Sequence, residues 1–451
     1  MTLRFGTDGV RGIANRELTV ELVTALGRAA VRVLGADAPF VVGRDTRRSG
    51  PMLEAALVAG LCAEGAAVVL AGVLPTPGVA HLARDRGGPA AVISASHNPY
   101  ADNGVKLFAA GGRKIPDELE AQVEHELREL ALSDPGPGPD GPAVGVASER
   151  RQAFDEYVEH LVDSLAGRRL DGLQVVVDCG NGAAFRVAPT ALRELGAEVD
   201  VLNASPDGMN INEGCGSTNP ADLRDAVLVS GAAVGLAFDG DADRVIAVDE
   251  RGELVDGDHM LAIAALDLHD RGMLGGNAIA STVMSNLGLR RALDPYGIEL
   301  VETPVGDRNV VDEMERRNLV LGGEQSGHVI FADHATTGDG TLTGILLLDV
   351  MARRRRTLSE LASVMTAVPQ VLRNVSVTDA SALNGDSAFW GRVRAAGEEL
   401  GDKGRVLVRP SGTEPIVRVM VEATDAAEAE AVADRLVDLV ERATSESGAR
   451  L

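Results

Sequence analysis

The chain has 451 residues, of which 43 are Lys or Arg and 67 are Asp or Glu, so its formal net charge is −24. This acidic balance and an aromatic content of only 3% argue against a general nucleic-acid binder, which neutralises phosphates with Lys and Arg and stacks bases on aromatic rings. Hydrophobic residues make up 45% of the chain, which argues against disorder. At ~150 residues per domain, the length of the chain predicts about three domains.

The cysteines and the apolar stretches bear on the compartment. Cys62, Cys179 and Cys215 lack the spacing of a zinc site or a disulfide framework, which indicates a reducing environment. The opening segment MTLRFGTDGVRG has no basic region followed by an apolar one, as a signal peptide would. The longest apolar stretch, residues 57–74, is broken by Glu64 well short of a membrane span. We therefore expect a soluble cytoplasmic protein without a membrane partner.

The first hundred residues alternate between strand and helix patterns. A helix is predicted to begin at Ser49, its candidate N-cap, with Pro51 in the first turn. Leu53, Leu57 and Leu61 give this helix one apolar stripe. The strands predicted around it are 39–43, 67–70 and 90–94, the last of which ends in the polar loop SASHNPYADNG. This alternation predicts βαβ units and a mostly parallel sheet.

Two further αβ units follow a Pro/Gly run at residues 133–142, which marks the first domain boundary. Their predicted elements are strands 173–178, 234–239, 277–281, 298–303 and 319–322 and helices 189–195 and 221–230. In each of the three units the most polar residues come just past the carboxyl end of a strand, where α/β folds bind ligands. The likeness between the units is weak, so a true threefold repeat and three ordinary αβ units both remain open.

The pattern changes after about residue 369. A helix, strands 405–408 and 416–421 and a closing helix 426–442 predict a smaller α+β domain. The predicted fold class is therefore α/β, with three consecutive αβ domains that have mixed, mostly parallel sheets, followed by the C-terminal α+β domain. The predicted domains are residues 1–142, 143–252, 253–368 and 369–451.

The segment DGDADR carries the strongest chemical signal. Asp239, Asp241 and Asp243 alternate in a loop after a strand, so their carboxylates can converge on one hard divalent cation. A calcium EF-hand loop is the first alternative, but it needs Gly where Arg244 stands and helices where the flanks read as strands. The second is an ordinary solvated acidic loop. Mutual repulsion of three close carboxylates favours the cation.

Four other loops are candidates on weaker grounds. SASHNP offers Ser94, Ser96 and His97 as nucleophile or as plain turn residues, without the G-x-S-x-G of a serine hydrolase. RPSGTEP, at 409–415 and followed by Arg418, can form an anion nest or an ordinary hairpin loop. GEQSGH, at 323–328, suits sugar hydroxyls or is a polar turn. In VGDR, at 305–308, the arginine faces an anion or only starts a helix.

Five motifs in order, FGTDGVRG, SASHNP, DGDADR, GEQSGH and RPSGTEP, resemble the α-D-phosphohexomutase superfamily over essentially the whole chain. FGTDGVRG, Gln325 and the continuation RVMVE are most similar to the bacterial branch that acts on glucosamine phosphates. The resemblance implies four domains around a central cleft, each contributing one loop. It also implies a phosphosugar as the small-molecule partner, no nucleic acid, and a monomer or homodimer.

The same resemblance implies the roles of individual residues. Ser96 would carry the phosphoryl group and, with Asp239, Asp241 and Asp243, would bind Mg²⁺. The remaining catalytic residues implied are Arg11, His97, Lys106 and His328, of which Lys106 and His328 are the acid/base candidates. The implied substrate-binding residues are Arg244, Arg308, Glu324, Ser326, Arg409, Ser411, Gly412, Thr413 and Arg418.

The implied reaction interconverts glucosamine 6-phosphate and glucosamine 1-phosphate through a phosphoserine enzyme. Glucosamine 1,6-bisphosphate, or a related hexose bisphosphate, would be the intermediate and activator, and the product would feed UDP-N-acetylglucosamine synthesis for the cell wall. The alternative is a phosphomannomutase or phosphoglucomutase with the same mechanism. Two further alternatives are not mutases: a metal-dependent phosphatase and a non-catalytic sugar-phosphate sensor.

Overall fold

The computed structural model describes residues 9–132, 138–377, 383, 385–410 and 415–447. By their contacts the residues fall into two compact units. The first unit comprises Met1–Met284 and Tyr296–Val364, and the second comprises Ser285–Pro295 and Met365–Leu451, each within the described ranges. The domain boundaries predicted at residues 142, 252 and 368 stay predictions.

The first sheet of the first unit is mixed. Its segment of the chain contains β1 (Val10–Ile13), α1 (Val20–Leu34), β2 (Phe40–Arg44), α2 (Gly50–Ala63), β3 (Val68–Val73), α3 (Thr76–Arg86), β4 (Ala90–Ile93), β5 (Asp102–Ala109), β6 (Arg113–Lys114), α4 (Asp117–Leu132) and β7 (Ala147–Glu149). The strand order is β1-β5-β4-β2-β3-β7, with β6 paired to β5. Strands β4, β2, β3 and β7 run parallel, whereas β5 returns antiparallel to β4.

The second sheet repeats this plan. Its elements are α5 (Ala153–Asp163), β8 (Gln174–Asp178), α6 (Ala184–Glu194), β9 (Glu198–Leu202), α7 (Ala221–Ser230), β10 (Val234–Phe238), β11 (Val245–Asp249) and β12 (Leu254–Val255). The order is β12-β11-β10-β8-β9, in which β10, β8 and β9 are parallel and β11 returns antiparallel to β10.

The third sheet has the same plan, in which parallel strands are followed by an antiparallel return, with fewer strands. The chain continues through α8 (Gly257–Asp270), β13 (Ala278–Thr282), α9 (Leu287–Leu293), β14 (Glu299–Thr303), α10 (Asp307–Arg317), β15 (Leu321–Gly323), β16 (Val329–Phe331), α11 (Gly340–Arg354) and α12 (Leu358–Ala362). The order is β14-β13-β15-β16, with β16 antiparallel to β15. Helix α9 lies in the second unit.

The second unit is an α+β structure. It contains β17 (Gln370–Ser376), α13 (Ser387–Leu400), β18 (Gly404–Pro410), β19 (Ile416–Ala423) and α14 (Ala426–Ser447). The three strands are antiparallel in the order β17-β19-β18. The predicted fold class, three αβ domains followed by an α+β domain, is confirmed. The sheets of the first unit hold more antiparallel pairs than predicted, because a strand turns back directly after each of three polar loops.

The core of the first unit joins all three sheets. One face of the first sheet packs Phe40 and Val42 against the predicted leucine stripe of α2, which is fully buried and thus confirmed. The other face shares a core with the second and third segments, in which Phe108, Phe238 and Leu342 are buried together. Helix α11 is buried along most of its length, as expected for a helix that is apolar on most sides.

Three local predictions differ from the structure. The loop predicted to reach residue 104 ends earlier, because β5 begins at Asp102. Ser49 does not cap α2 with its side chain; its Oγ accepts a hydrogen bond from Asn103 Nδ2 at 2.9 Å. The helix predicted to begin at Pro189 begins at Ala184, because a single internal proline removes one hydrogen bond without ending a helix that buries an apolar face. Among the described residues, no helix is long and apolar enough to cross a membrane.

A pair of stacked histidines lies between α3 and α5. The rings of His81 and His160 are 4.0 Å apart at their centroids and nearly parallel. Arg84 Nη2 lies 3.1 Å from His81 Nδ1, which places an acceptor nitrogen there. Burial, with the charges of His81, Arg84 and His334, lowers the pKa of His160 from 6.5 to about 4. Burial also lowers the pKa of His81, so both shifts favour neutral rings in the stack.

This pair predicts acid sensitivity. As the pH falls below the unfolded pKa of His160, the unfolded chain binds a proton that the native state refuses, so stability is lost between 6.5 and about 4. His160→Gln removes that proton site. We expect urea unfolding to show a loss between about pH 7 and about pH 5 that is about 1 kcal/mol smaller in the variant than in the wild type. His125→Gln, on the exposed side of α4, should behave as the wild type. Equal losses in the wild type and His160→Gln would contradict the assignment.

Candidate active site

The Ser96 loop joins β4 to β5, and Ser96 is fully buried in it. Its φ is 52°, in the left-handed region that a residue with a side chain occupies only when its surroundings hold it there. The N–H of Ser96 donates to Ser94 Oγ at 2.9 Å. Its own Oγ donates to Asp239 Oδ2 at 2.5 Å. The fold thus brings the predicted serine directly against the predicted acidic loop.

The acidic loop joins β10 to β11 in the same way. Asp239, Asp241 and Asp243 are buried, and one carboxylate oxygen from each lies within 4.8 Å of the others. The flanking strands contradict the EF-hand alternative, and the burial contradicts a solvated acidic loop. Gly240 is required here, because a Cβ would stand 2.5 Å from the Ser96 carbonyl oxygen.

The donor set of this loop fits a hard divalent cation. Oδ1 of Asp241 and Oδ1 of Asp243 are buried without a hydrogen-bond partner. Burial, with the charges of Asp243 and Asp241, raises the pKa of Asp239 well above its ordinary value. Unsatisfied buried carboxylate oxygens are costly, and a cation with oxygen ligands relieves both the repulsion and the missing contacts.

Lys106 extends from β5 into the acidic loop. Its Nζ lies 2.8 Å from Asp241 Oδ2 and 3.2 Å from Asp243 Oδ2, and the side chain is almost fully buried. Burial raises the pKa of Asp243, but Lys106, His328 and Arg244 outweigh it and hold that pKa well below the ordinary value. A single ammonium thus offsets part of the negative charge of the triad.

His328 lies on the opposite side of the acidic loop. Its Nδ1 is 3.8 Å from Asp243 Oδ2, and its Nε2 accepts the N–H of Gly338 at 3.0 Å. Burial lowers the pKa of His328, and the carboxylates of Asp243 and Asp307, the latter 3.6 Å from Nε2, together raise it by more. However, the Gly338 bond needs a lone pair on Nε2, which fixes a neutral ring with its proton on Nδ1. This ring can donate to Asp243 but has no free nitrogen to accept a proton.

His97 and Arg244 form a pair beside the serine. Arg244 Nη1 lies 3.1 Å from His97 Nδ1, and His97 Nδ1 lies 3.4 Å from Ser96 Oγ. Burial, with the charges of Arg244 and Arg11, lowers the pKa of His97. The ring is therefore neutral and its Nδ1 accepts. His97 thus contacts the serine, Arg244 contacts His97, and the positive charge of Arg11 acts on the same ring.

The GEQSGH loop is the third hairpin of this kind, between β15 and β16. Glu324 Oε1 accepts the N–H of Gly306 at 3.2 Å, and Gln325 Nε2 donates to Asp256 Oδ2 at 3.3 Å. Ser326 is exposed. The carbonyl of Gly327 accepts the N–H of Val245 at 3.2 Å, which fastens this loop to the strand that follows the acidic loop.

Arg308 is paired with two carboxylates of a neighbouring helix. At the start of α10 it forms ion pairs with Asp117 and Glu120 of the first turn of α4. Its neighbour Asp307 pairs with Lys114. The structure therefore places Arg308 in a contact between two segments of the first unit, and a ligand anion would have to compete with two carboxylates for it.

Arg409 and Arg418 belong to the second unit. They are directly opposite each other on β18 and β19. Burial and the charge of Arg418 lower the pKa of Arg409. Like charges directly across a sheet are unfavourable, and an anion shared by both would relieve the repulsion. Ser411, Gly412 and Thr413, the other predicted members of this loop, lie outside the described residues.

Several residues that hold the site were not predicted from the sequence. Thr76 donates through Oγ1 to Asp241 Oδ2 at 2.5 Å. Asn212 donates to the Ser96 carbonyl at 2.9 Å. Asp45 and Arg47 lie under the serine loop. The last two follow β2 in the segment RDTRRS, where the rule of polar residues past a strand end, applied to β4 and β10, would have found them.

Family models match four segments of the chain in order. Their descriptions are phosphoglucomutase/phosphomannomutase alpha/beta/alpha domain I at residues 2–133, domain II at 155–252 and domain III at 256–368, and the C-terminal domain of the same family at 354–439. Together they span most of the chain.

Curated relatives and solved structures agree. The phosphoglucosamine mutase of Moorella thermoacetica is 55% identical over 430 residues, covering 94% of this chain and 96% of the relative. That of Streptomyces griseus is 52% identical over 447 residues, covering 97% and 99%. A phosphoglucomutase/phosphomannomutase family protein from Burkholderia thailandensis superposes with a TM-score of 0.81 at 27% identity, covering 97% of each chain.

A more distant structure shares the fold. The N-acetylphosphoglucosamine mutase of Aspergillus fumigatus, solved with GlcNAc-6P and magnesium, has a TM-score of 0.70 at 18% identity, covering 98% of this chain and 96% of that one. The chain therefore belongs to the phosphoglucomutase/phosphomannomutase family of phosphosugar isomerases, within which it groups with the phosphoglucosamine mutases.

Proposed function

We propose that this enzyme interconverts glucosamine 6-phosphate and glucosamine 1-phosphate, with the phosphoryl group carried on Ser96. The observation that carries the proposal is the 2.5 Å contact of Ser96 Oγ with Asp239, in a buried triad in which Asp241 Oδ1 and Asp243 Oδ1 have no hydrogen-bond partner. A free serine hydroxyl is a poor nucleophile, whereas a phosphoserine already carries the phosphoryl group that it transfers. A buried serine in the left-handed conformation beside a cation site suits this role.

The proposed sequence has two transfers. The phosphoserine gives its phosphoryl group to the free O1 of glucosamine 6-phosphate, which forms glucosamine 1,6-bisphosphate and leaves Ser96 as the free hydroxyl. The intermediate turns end for end. Ser96 then takes the phosphoryl group from O6, so glucosamine 1-phosphate is released and the phosphoserine is restored. Phosphoryl transfer of this kind needs alignment and charge stabilisation more than covalent help.

Asp239, Asp241 and Asp243, with an oxygen of the phosphoserine, are the proposed ligands of Mg²⁺. When bound, Mg²⁺ would withdraw charge from the phosphoryl oxygens. Lys106 holds the same carboxylates at 2.8 and 3.2 Å and offsets part of their charge. Arg244 and His97 are proposed to orient the phosphoryl group, and Arg11 to add positive field.

Lys106 is the proposed acid/base residue, since His328 has no free nitrogen to accept a proton. In each half reaction its ammonium would give a proton to the oxygen from which the phosphoryl group leaves and, once neutral, would take the proton of the acceptor hydroxyl. The neutral His328 ring would instead donate from Nδ1 toward Asp243 and keep that carboxylate in place.

The remaining loops are proposed to grip the two ends of the ligand. Glu324 and Ser326 would bind sugar hydroxyls, and Arg308 would exchange its carboxylate partners for the ligand. Arg409 and Arg418, with Ser411, Gly412 and Thr413, would hold the phosphate that is not reacting. Because the ligand must turn round, this phosphate site has to accept either end. We also propose a cytoplasmic enzyme, monomeric or dimeric, that supplies UDP-N-acetylglucosamine synthesis.

The reaction and the substrate are tested together. The wild type should turn over glucosamine 6-phosphate faster than mannose or glucose 6-phosphate; a higher rate on either of the other two would replace the substrate assignment. Ser96→Ala should lose more than about 10³-fold in kcat with native circular dichroism. Ser230→Ala, on the surface of α7, is the control. Wild-type turnover by Ser96→Ala would reject the phosphoserine, and phosphate release in excess of isomerisation would favour a phosphatase.

The metal site is tested by binding as well as by rate. Asp241→Asn removes one charge from the triad and should lower kcat by about 10²-fold or more. Addition of Mg²⁺ should raise the melting temperature of the chelator-treated wild type and leave that of Asp241→Asn nearly unchanged. Asp225→Asn, on the exposed face of α7, should respond to Mg²⁺ like the wild type. Full activity of the wild type in excess EDTA would contradict the assignment.

The acid/base assignment is tested by two substitutions. Lys106→Met should lower kcat by about 10²- to 10⁴-fold. His328→Asn keeps an N–H near the place of Nδ1, so kcat should stay within about 10-fold of the wild type. Lys403→Met, at an exposed site of the second unit, controls for loss of a lysine. A larger loss in His328→Asn than in Lys106→Met would reverse the two roles.

A further inference from the structure

A buried arginine under the serine loop has all its hydrogen-bonding capacity in use. Arg47 follows β2 and is 1% exposed, which is rare for a charged side chain. A guanidinium has five N–H donors. Its Nε donates to Asp45 Oδ2 at 2.8 Å. The two terminal nitrogens donate to four backbone carbonyls, so five donors meet five acceptors.

All four carbonyls belong to one stretch, the end of the serine loop and the start of β5. Nη2 donates to the carbonyl oxygens of Ser96 and Asn98, each at 2.8 Å. Nη1 donates to those of Pro99 and, at 3.0 Å, Asp102. Four carbonyls that face one point cannot satisfy one another, so the guanidinium determines the path of the loop.

Two further contacts secure the same serine. Asp45 Oδ2 also accepts the hydroxyl of Ser94 at 2.6 Å, and Ser94 Oγ accepts the Ser96 N–H. From the second sheet segment, Asn212 Nδ2 donates to the carbonyls of Ser96 at 2.9 Å and Asn98 at 3.1 Å. The backbone of Ser96 is therefore held at its N–H and twice at its carbonyl.

We propose that Arg47 is a positioning residue of the phosphoryl-transfer site: its guanidinium holds Ser96 in the left-handed conformation that directs Oγ to Asp239. The inference rests on the proposed role of Ser96. Arg47 does not touch the reacting atoms. It acts through the backbone, and Asn212 supplements it at two of the four carbonyls.

Replacement of Arg47 should lower the rate through a shift of the serine loop. A left-handed backbone at a residue with a side chain is unfavourable and persists only while its neighbours enforce it. Lysine keeps the charge but offers three donors on one atom, so it cannot span carbonyls spread along the loop. A shift of about 1 Å at a reacting atom costs about 10²-fold in rate.

The experiment compares Arg47→Lys with Arg48→Lys, the adjacent and exposed arginine. Arg47→Lys should lose about 10²-fold in kcat with KM within about 3-fold of the wild type, because the sugar and phosphate loops are untouched. Its Ser96 should also take up labelled phosphate from a hexose 1,6-bisphosphate about 10²-fold more slowly. Arg48→Lys should match the wild type in all three measurements. Wild-type kcat and labelling rate in folded Arg47→Lys would overturn the inference, as would a change confined to KM.

A second variant decides the question if Arg47→Lys does not fold. Arg47→Gln removes the charge and keeps two N–H donors on one atom, too few for four carbonyls, so kcat should fall about 10²-fold at constant KM. Unchanged kcat and labelling in Arg47→Gln would then overturn the inference. Failure of the proposed function is distinct: the wild type itself would not isomerise the substrate or label Ser96. A wild type that does both, beside variants that do so equally well, overturns only the role of Arg47.

Discussion

The structure of the first unit is organised around three buried carboxylates that share one short loop. Asp239, Asp241 and Asp243 are each almost fully shielded from water, and one oxygen from each lies within 4.8 Å of the others. Buried charges of one sign are among the costliest features a fold can contain. Lys106 provides one positive charge, and the Thr76 and Ser96 hydroxyls each donate one hydrogen bond. The residual negative charge is what suits the loop to a dication.

The same arrangement of two strands and a polar loop appears three times in the first unit. A parallel strand ends, a short polar loop follows, and the chain returns as an antiparallel strand: β4 to β5, β10 to β11, and β15 to β16. A hairpin return pairs the two strands that flank its loop with each other, which brings both ends of the loop together. The serine and acidic loops meet at Gly240, where a side chain would collide with the Ser96 carbonyl. This shared plan favours the threefold repeat that the sequence left open.

The sequence was sufficient to predict the fold class and the elements that carry the loops, because strand ends, the leucine stripe of α2 and the spacing of the aspartates are local patterns. It did not predict that β5, β11 and β16 turn back. Short apolar runs such as VIAVD do not reveal their direction, which depends on the neighbouring strand. Nor did it find Thr76, whose importance lies in its contact with Asp241, 165 residues further along the chain. Arg47 was overlooked although it follows the end of β2, because its role depends on carbonyls 49 to 55 residues further along the chain. The family resemblance made His328 an acid/base candidate, and only the structure shows that its Nε2 accepts the Gly338 N–H.

In the proposed mechanism, Ser96 transfers its phosphoryl group to the substrate and is phosphorylated again in each turnover. The most direct measurement uses enzyme carrying ³²P-phosphate, mixed with unlabelled glucosamine 6-phosphate and quenched within one turnover. We expect the label to leave the Ser96 peptide at least as fast as product forms and to appear first in the bisphosphate. Product formation with the label retained on the protein, or with no label ever found on Ser96, would contradict it.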